Sequence, residues 1–290
     1  ARNPRRGHHE WNVHQLLVQK RPLERQPMLA EPVPVVRRVR DDRFLSRRLQ
    51  TDAEVSIGIL DEADTVQRAR DLAAQGFRAL KLKGGLDADD DIARVLAVRD
   101  AVGHKIGLRF DANQGYDVTE SLRFIDATRS AKLELVEQPT PRNALDELAN
   151  VTRKAPLPIM ADESLMGLRD AFRIARRSLA DMINVKLMKC GGIGPAMEIA
   201  SVARSAQLEV MVGCMDESAL GIAAGLHFAL SRPNIQYADL DGHLDVADDP
   251  FEGMIEINTF QKNSEKSWKE NSLDELPVMI ERIQALGVQA

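Results

Sequence analysis

From Glu54 onward the chain alternates short apolar runs with longer stretches whose apolar residues recur at helical spacing. Val55–Leu60 reads as a strand. Ala63, Val66, Ala69, Leu72 and Ala73 then mark one face of a helix that Gly76 stops. The same beat returns along the chain. Strands are expected at Arg78–Lys83, Ile106–Phe110, Leu133–Val136, Pro158–Ala161, Met182–Val185, Glu209–Gly213 and Ile235–Ala238. Between them lie helical stripes such as Ile92, Val95, Leu96 and Val98, or Val118, Leu122 and Ile125. Further helices are expected near residues 144–153, 168–177 and 219–230, and Pro195 suits the first turn of another. Eight evenly spaced strands, seven followed by a helix, fit right-handed βα crossovers. The predicted class is α/β, a (β/α)8 TIM-type barrel.

Outside this rhythm the pattern fails. Residues 1–50 carry 12 Lys/Arg against 5 Asp/Glu, five of the 13 prolines and three of the six histidines. This basic segment lacks periodicity and reads as a loosely docked tail, a transit-type leader or a small irregular domain. The predicted organisation is an atypical N-terminal segment over 1–51, a barrel over 52–254 and a C-terminal segment over 255–290. In that last segment Ser272–Glu275 resembles a capping box before a terminal helix near Pro277–Leu286.

Composition narrows the function classes. With 44% hydrophobic but only 4% aromatic residues, the core must be largely aliphatic. A net charge of −5 gives no basic bias toward nucleic acid. No apolar run approaches the roughly 20 residues of a membrane helix, and no secretory signal is recognisable. Cys190 and Cys214 cannot make a disulfide framework, so a reduced, cytoplasmic setting is expected.

The chemistry lies at the strand ends. Lys81 and Lys83 alternate with leucines on one strand and therefore share a face. The pair reads either as an edge strand protected by charge or as a proton shuttle at the mouth of a barrel. The other strands end at Asp111, Glu137, Asp162 and Lys186, then Asp239 and Asp241. Any one of these acids alone reads first as a helix N-cap. Three on consecutive strands would converge, and converging hard oxygen ligands suit Mg²⁺. Lysines on strands two and six, on opposite sides of the mouth, suit abstraction of a proton next to a carboxylate and its return to the other face. Mg²⁺, Lys81 and desolvation are expected to bring such a lysine toward neutrality. Lys189, three residues beyond Lys186, is an equally spaced rival.

The segments Lys81–Lys83, Asp111–Tyr116, Val136–Pro139, Ala161–Ser164 and Asn184–Gly192 resemble the enolase superfamily in its muconate-lactonizing subgroup. Gly213–Ser218 resembles that family's seventh-strand segment, and Asp239-Leu240-Asp241 resembles the Asp-x-Asp motif of its dipeptide epimerases. The resemblance implies Lys83 and Lys186 as the acid/base pair and Asp111, Glu137 and Asp162 as Mg²⁺ ligands. It implies Lys81 beside the substrate carboxylate and Asp239 and Asp241 on the substrate ammonium. The implied activity is Mg²⁺-dependent epimerisation of L-amino-acid dipeptides by proton transfer through an enediolate. The implied partner is a small dipeptide, without nucleic acid or membrane; a homo-oligomer is compatible with the sequence, which does not fix the oligomeric state. The family's N-terminal capping region is expected to be atypical or truncated here. The alternatives are a cycloisomerase, dehydratase or N-acylamino-acid racemase reaction at the same site, or a non-catalytic homologue.

Overall fold

The computed structural model describes residues 54–251, and the two terminal segments expected at 1–51 and 255–290 lie outside them. Eight parallel strands follow one another in chain order: β1 Glu54–Ile57, β2 Ala79–Lys83, β3 Gly107–Asp111, β4 Val136–Glu137, β5 Ile159–Ala161, β6 Met182–Lys186, β7 Glu209–Gly213 and β8 Ile235–Asp239. The intervening helices are α1 Glu62–Ala74, α2 Ala88–Val102, α3 Val118–Ala127, α4 Leu145–Lys154, α5 Leu168–Arg177, the single turn α6 Leu187–Cys190, α7 Ile193–Ser205 and α8 Ala219–Ser231. Each strand pairs in parallel with the next, and β1 lies beside β8. The arrangement is a nearly closed TIM-type barrel.

Pleating divides the side chains into two sets. Leu80, Leu82, Leu108, Phe110, Ile159, Ile183, Val185 and Val212 point outward into the main core beneath the helices. Leu135, Met160, Met182 and Met211 form a separate inner plug, with Tyr237 against it. Above that plug the inward positions are polar: Lys81, Glu137, Asn184 and Asp239 are all buried. Beneath the mouth the plug is joined by a buried ion pair, Arg109 Nη1 with Glu54 Oε2 at 2.6 Å, with the Arg109 guanidinium over the Tyr237 ring.

Two expected strand boundaries shift by more than one residue. Strand 1 stops at Ile57 rather than Leu60: Gly58, Ile59 and Leu60 are exposed, and Asp61 caps α1 by accepting from the Asp64 N–H at 2.8 Å. Strand 4 is confined to Val136–Glu137 instead of starting at Leu133, although Leu133 and Leu135 are buried. Lys132 sits at φ +51 before it, and the Glu134 N–H already donates to the Leu108 carbonyl of β3 at 2.8 Å ahead of the regular ladder. Closure is also looser than a full ladder. No regular pairing joins β1 to β8 among the described residues, and a hydrogen bond from Ser56 N–H to Asp241 Oδ2 at 2.6 Å spans the seam.

Among the described residues no helix is long and apolar enough to cross a membrane. Exposed apolar side chains gather on the segments that follow the strands, including Ile59, Leu86, Met166, Met188, Met215 and Leu244; Leu86 is 82% exposed.

Candidate active site

The helix caps show what the strand-end acids are not. Asp61, Asp87 and Asp117 accept from first-turn N–H groups of α1, α2 and α3, and Asp117 forms a capping box with Glu120. Asp111, Glu137 and Asp162 cap none of the helices among the described residues. Their ends of β3, β4 and β5 bring them together instead: one oxygen from each lies within 4.8 Å of the others, and all three are buried.

Such crowding has an electrostatic cost. Burial, then the neighbouring Glu137 carboxylate, pushes the Asp111 carboxyl up to about 8. Burial acts the same way on Asp162, but Lys189 and Lys186 outweigh it and hold that carboxyl well below the usual range. Lysines surround the acids. Lys186 Nζ lies 2.8 Å from Asp162 Oδ2, Lys83 Nζ lies 4.0 Å from Asp111 Oδ2, and Lys189 holds Asp162 Oδ1. Lys81, deep in the barrel, lies 3.3 Å from Glu137 and also pairs with Asp239. Three hard carboxylate donors this close together fit a divalent cation, and Asp111, Glu137 and Asp162 are the residues that could hold one.

The lysines differ in access. Lys83 is 38% exposed, whereas Lys186 is 7% exposed and its pKa is not lowered as expected. Burial opposes its charge, but Asp162 and Glu137 overcome that and raise it above the ordinary lysine value. Lys81 behaves likewise: burial opposes its charge, and Asp239 and Glu137 hold it charged. Asp239 is buried, with one oxygen on Lys81 and Oδ1 without a partner among the described residues. Asp241 takes the Ser56 N–H, and burial followed by Asp239 pushes its carboxyl up to about 6. Cys214 lies 3.8 Å from Asp241 Oδ1, and burial raises its thiol pKa, which suits packing rather than nucleophilic attack.

Several positioning groups lay beyond the sequence argument. Asn184, inward on β6, donates from Nδ2 to Glu137 Oε1 at 2.6 Å. Asn113 donates its backbone N–H to Asp111 Oδ1 at 2.9 Å and its side-chain amide to Oδ2 at 3.1 Å. Gln138 Oε1 accepts from the N–H groups of Asp162 and Ser164 at 2.9 and 3.1 Å. Asn113 and Gln138 have φ values of +43 and +34, so left-handed backbone follows two of the three acids within two residues. The available signal was adjacency: an amide follows Asp111 and Glu137 within two residues. Asn184 offered only its inward parity on the strand.

A family model described as enolase C-terminal domain-like matches residues 64–261. Over 209 residues the chain is 39% identical to the hydrophobic dipeptide epimerase of Enterococcus faecalis, covering 72% of this chain and 59% of that protein. It is 43% identical over 210 residues to the L-Ala-D/L-Glu epimerase of Bacillus subtilis, covering 71% and 57%. The crystal structure of the Enterococcus faecalis dipeptide epimerase complexed with Mg and the dipeptide L-Leu-L-Tyr superimposes with a TM-score of 0.65 at 41% identity, over 66% of this chain and 55% of that one. The chain thus spans a little over half the length of these curated relatives.

Proposed function

Since the chain belongs to the enolase C-terminal domain-like family, we propose that its barrel mouth epimerises dipeptides by moving a Cα proton between Lys83 and Lys186. The observation that carries this is the convergence of Asp111, Glu137 and Asp162 within 4.8 Å, with a lysine beside the first and another beside the last. Two bases are what inversion at one carbon needs: one removes a proton from one face while the other delivers a proton to the opposite face. Lys186, held charged by Asp162, is the donor in this resting arrangement. To act in the reverse direction it must leave that carboxylate and lose a proton. Lys83, partly open to solvent, is placed to accept. Mg²⁺ is the cation proposed for the three acids, where it would supply the positive charge that offsets charge developing on the substrate carboxylate. Asp241 and the free oxygen of Asp239 are the proposed contacts for the substrate ammonium. The exposed apolar side chains around the mouth suit a cover that excludes water from the lysines.

The test is isotopic. The chain is incubated with Mg²⁺ and a library of L,L-dipeptides in D₂O, and α-deuterium is followed by mass spectrometry. At least one dipeptide should gain deuterium and epimerise. Lys83→Met and Lys186→Met should each lose about 10²- to 10⁴-fold of that rate, the usual contribution of a positioned acid or base. Absence of exchange throughout the library would refute the reading. A second reading, racemisation of N-acylamino acids, draws on the engagement of Asp239 with Lys81, which ties up one arm of the ammonium clamp. It is favoured if Asp241→Asn leaves dipeptide turnover unchanged while N-acyl substrates react.

A further inference from the structure

Lys186 and Lys189 are equally spaced candidates by sequence, yet they meet Asp162 in different ways. Lys189 sits on the single turn α6, and its side chain is 3% exposed. Its ammonium donates to Asp162 Oδ1, to the Asp162 backbone carbonyl at 2.6 Å and to the Asn184 carbonyl at 3.1 Å. An ammonium has three hydrogens, so all three are in use. Lys186 meets Asp162 through the other carboxylate oxygen, Oδ2. Asp162 is held from its backbone side too, by its N–H on Gln138.

We propose that Lys189 is a positioning residue that fixes the Asp162 carboxylate for a divalent cation. By carrying that task it leaves Lys186 as the lysine with a hydrogen to exchange. The proposal rests on the metal-site reading given above. Its physical content is a division of labour. Lys189 is anchored by two backbone carbonyls besides the carboxylate, so it stays in place when Asp162 takes on a cation. Lys186 lacks those anchors and is free to turn toward a substrate. Without Lys189, Asp162 keeps Lys186 as its remaining cationic partner, and a cation must then pull the two apart and leave a buried ammonium unpaired. The Asn184 carbonyl also loses the Lys189 donor, and the Asp162 carbonyl is left with the Leu165 N–H at 2.9 Å.

The sign of the effect separates positioning from simple charge. Removing a positive charge beside a cation site by itself tightens cation binding. Removing the group that orients a ligand weakens it, typically by about 10- to 100-fold. Binding of Mn²⁺ to the full chain is therefore measured by the loss of the free-ion electron paramagnetic resonance signal, for wild type, Lys189→Met and Lys186→Met. Circular dichroism reports folding in each case. Lys189→Gln is made in parallel, because it keeps an N–H donor should Lys189→Met fail to fold, and it too should bind more weakly than wild type. The expected result is at least about tenfold weaker binding for Lys189→Met. Lys186→Met should bind as tightly as wild type or more tightly, while losing turnover. Binding by folded Lys189→Met that matches or exceeds wild type overturns the proposal, as does an equal loss in both lysine variants. A wild-type chain that binds no Mn²⁺ removes the metal-site reading itself, and the role of Lys189 falls with it.

Discussion

Glu137 is the middle acid of the three and depends on partners beneath it. Lys81 supplies charge at 3.3 Å, and Asn184 supplies a neutral donor at 2.6 Å on the other oxygen. A donor without charge orients the carboxylate and leaves its attraction for a cation intact. Gly213 on β7 makes room for this arrangement, since a Cβ there would lie 2.4 Å from Asn184 Oδ1. Replacing Asn184 by Leu, of similar volume, leaves Glu137 with one fewer donor in a buried place. We expect a loss of about 1–3 kcal/mol in urea unfolding and about tenfold weaker Mn²⁺ binding; unchanged affinity in a folded variant would show that Lys81 alone positions Glu137. At this scale the acids and Lys83 were legible because each stands at a strand end, where geometry leaves few choices. The different ways in which Lys186 and Lys189 meet Asp162 were not. Both stand at the exit of β6, and the direction of Lys189 is set by one helical turn that the apolar pattern does not mark. The upward shift of Lys186 was missed for a similar reason: it depends on where Asp162 points.

The loops after β2 and β3 keep Lys83 beside Asp111, and they do so by backbone contact. Gly84 donates its N–H to the Asp111 carbonyl at 2.8 Å. Gly85 takes φ +98 and donates to Asp91 Oδ2 at 2.7 Å, the same oxygen that receives the Tyr116 hydroxyl. Gly115 closes the contact: a Cβ built there would stand 1.9 Å from the Gly85 carbonyl oxygen. Neither partner is a flexible side-chain tip, so Gly115→Ala must push the two loops apart. We expect it to cost about 1–3 kcal/mol, the usual range for overpacking, read from the urea midpoint, and to lower exchange activity by moving Lys83 away from Asp111. A midpoint equal to wild type would show that the loops yield freely. Helix periodicity and β-branched runs made most elements readable, and α5 and β7 fall where expected. The misplaced end of β1 has a local cause: the strand stops at a glycine before a capped helix, so turn chemistry overrode apolar continuity.

The barrel as a whole was legible from eight evenly spaced strands, whereas its seam was not, because closure between β1 and β8 depends on register rather than on pattern. The same interior predicts how the molecule responds to pH. Burial, then Asp239, pushes Glu54 up to about 7, and burial, then Glu137, pushes Asp111 up to about 8. With Asp241 at about 6, these acids hold protons in the folded state that an unfolded chain has already released. Unfolded Asp and Glu titrate near about 4, so the folded form binds more protons between about pH 4 and 8, and stability falls as pH rises through that window. Asp162 acts oppositely: its depressed value contributes stability above about pH 4 that is lost in stronger acid. In chelator the thermal midpoint should therefore be highest in mild acid and decline toward pH 8. A divalent cation competes with the proton for Asp111, so its stabilising effect should grow as that proton is lost. Thermal melts in EDTA and in excess Mg²⁺ at pH 6 and pH 8 test this directly. The Mg²⁺-induced rise should be larger at pH 8, by several degrees if the linkage reaches about 1–2 kcal/mol. An equal rise at both values would mean that Asp111 is ionised throughout, and that Lys81 and Lys83 neutralise the acids more completely than burial charges against them.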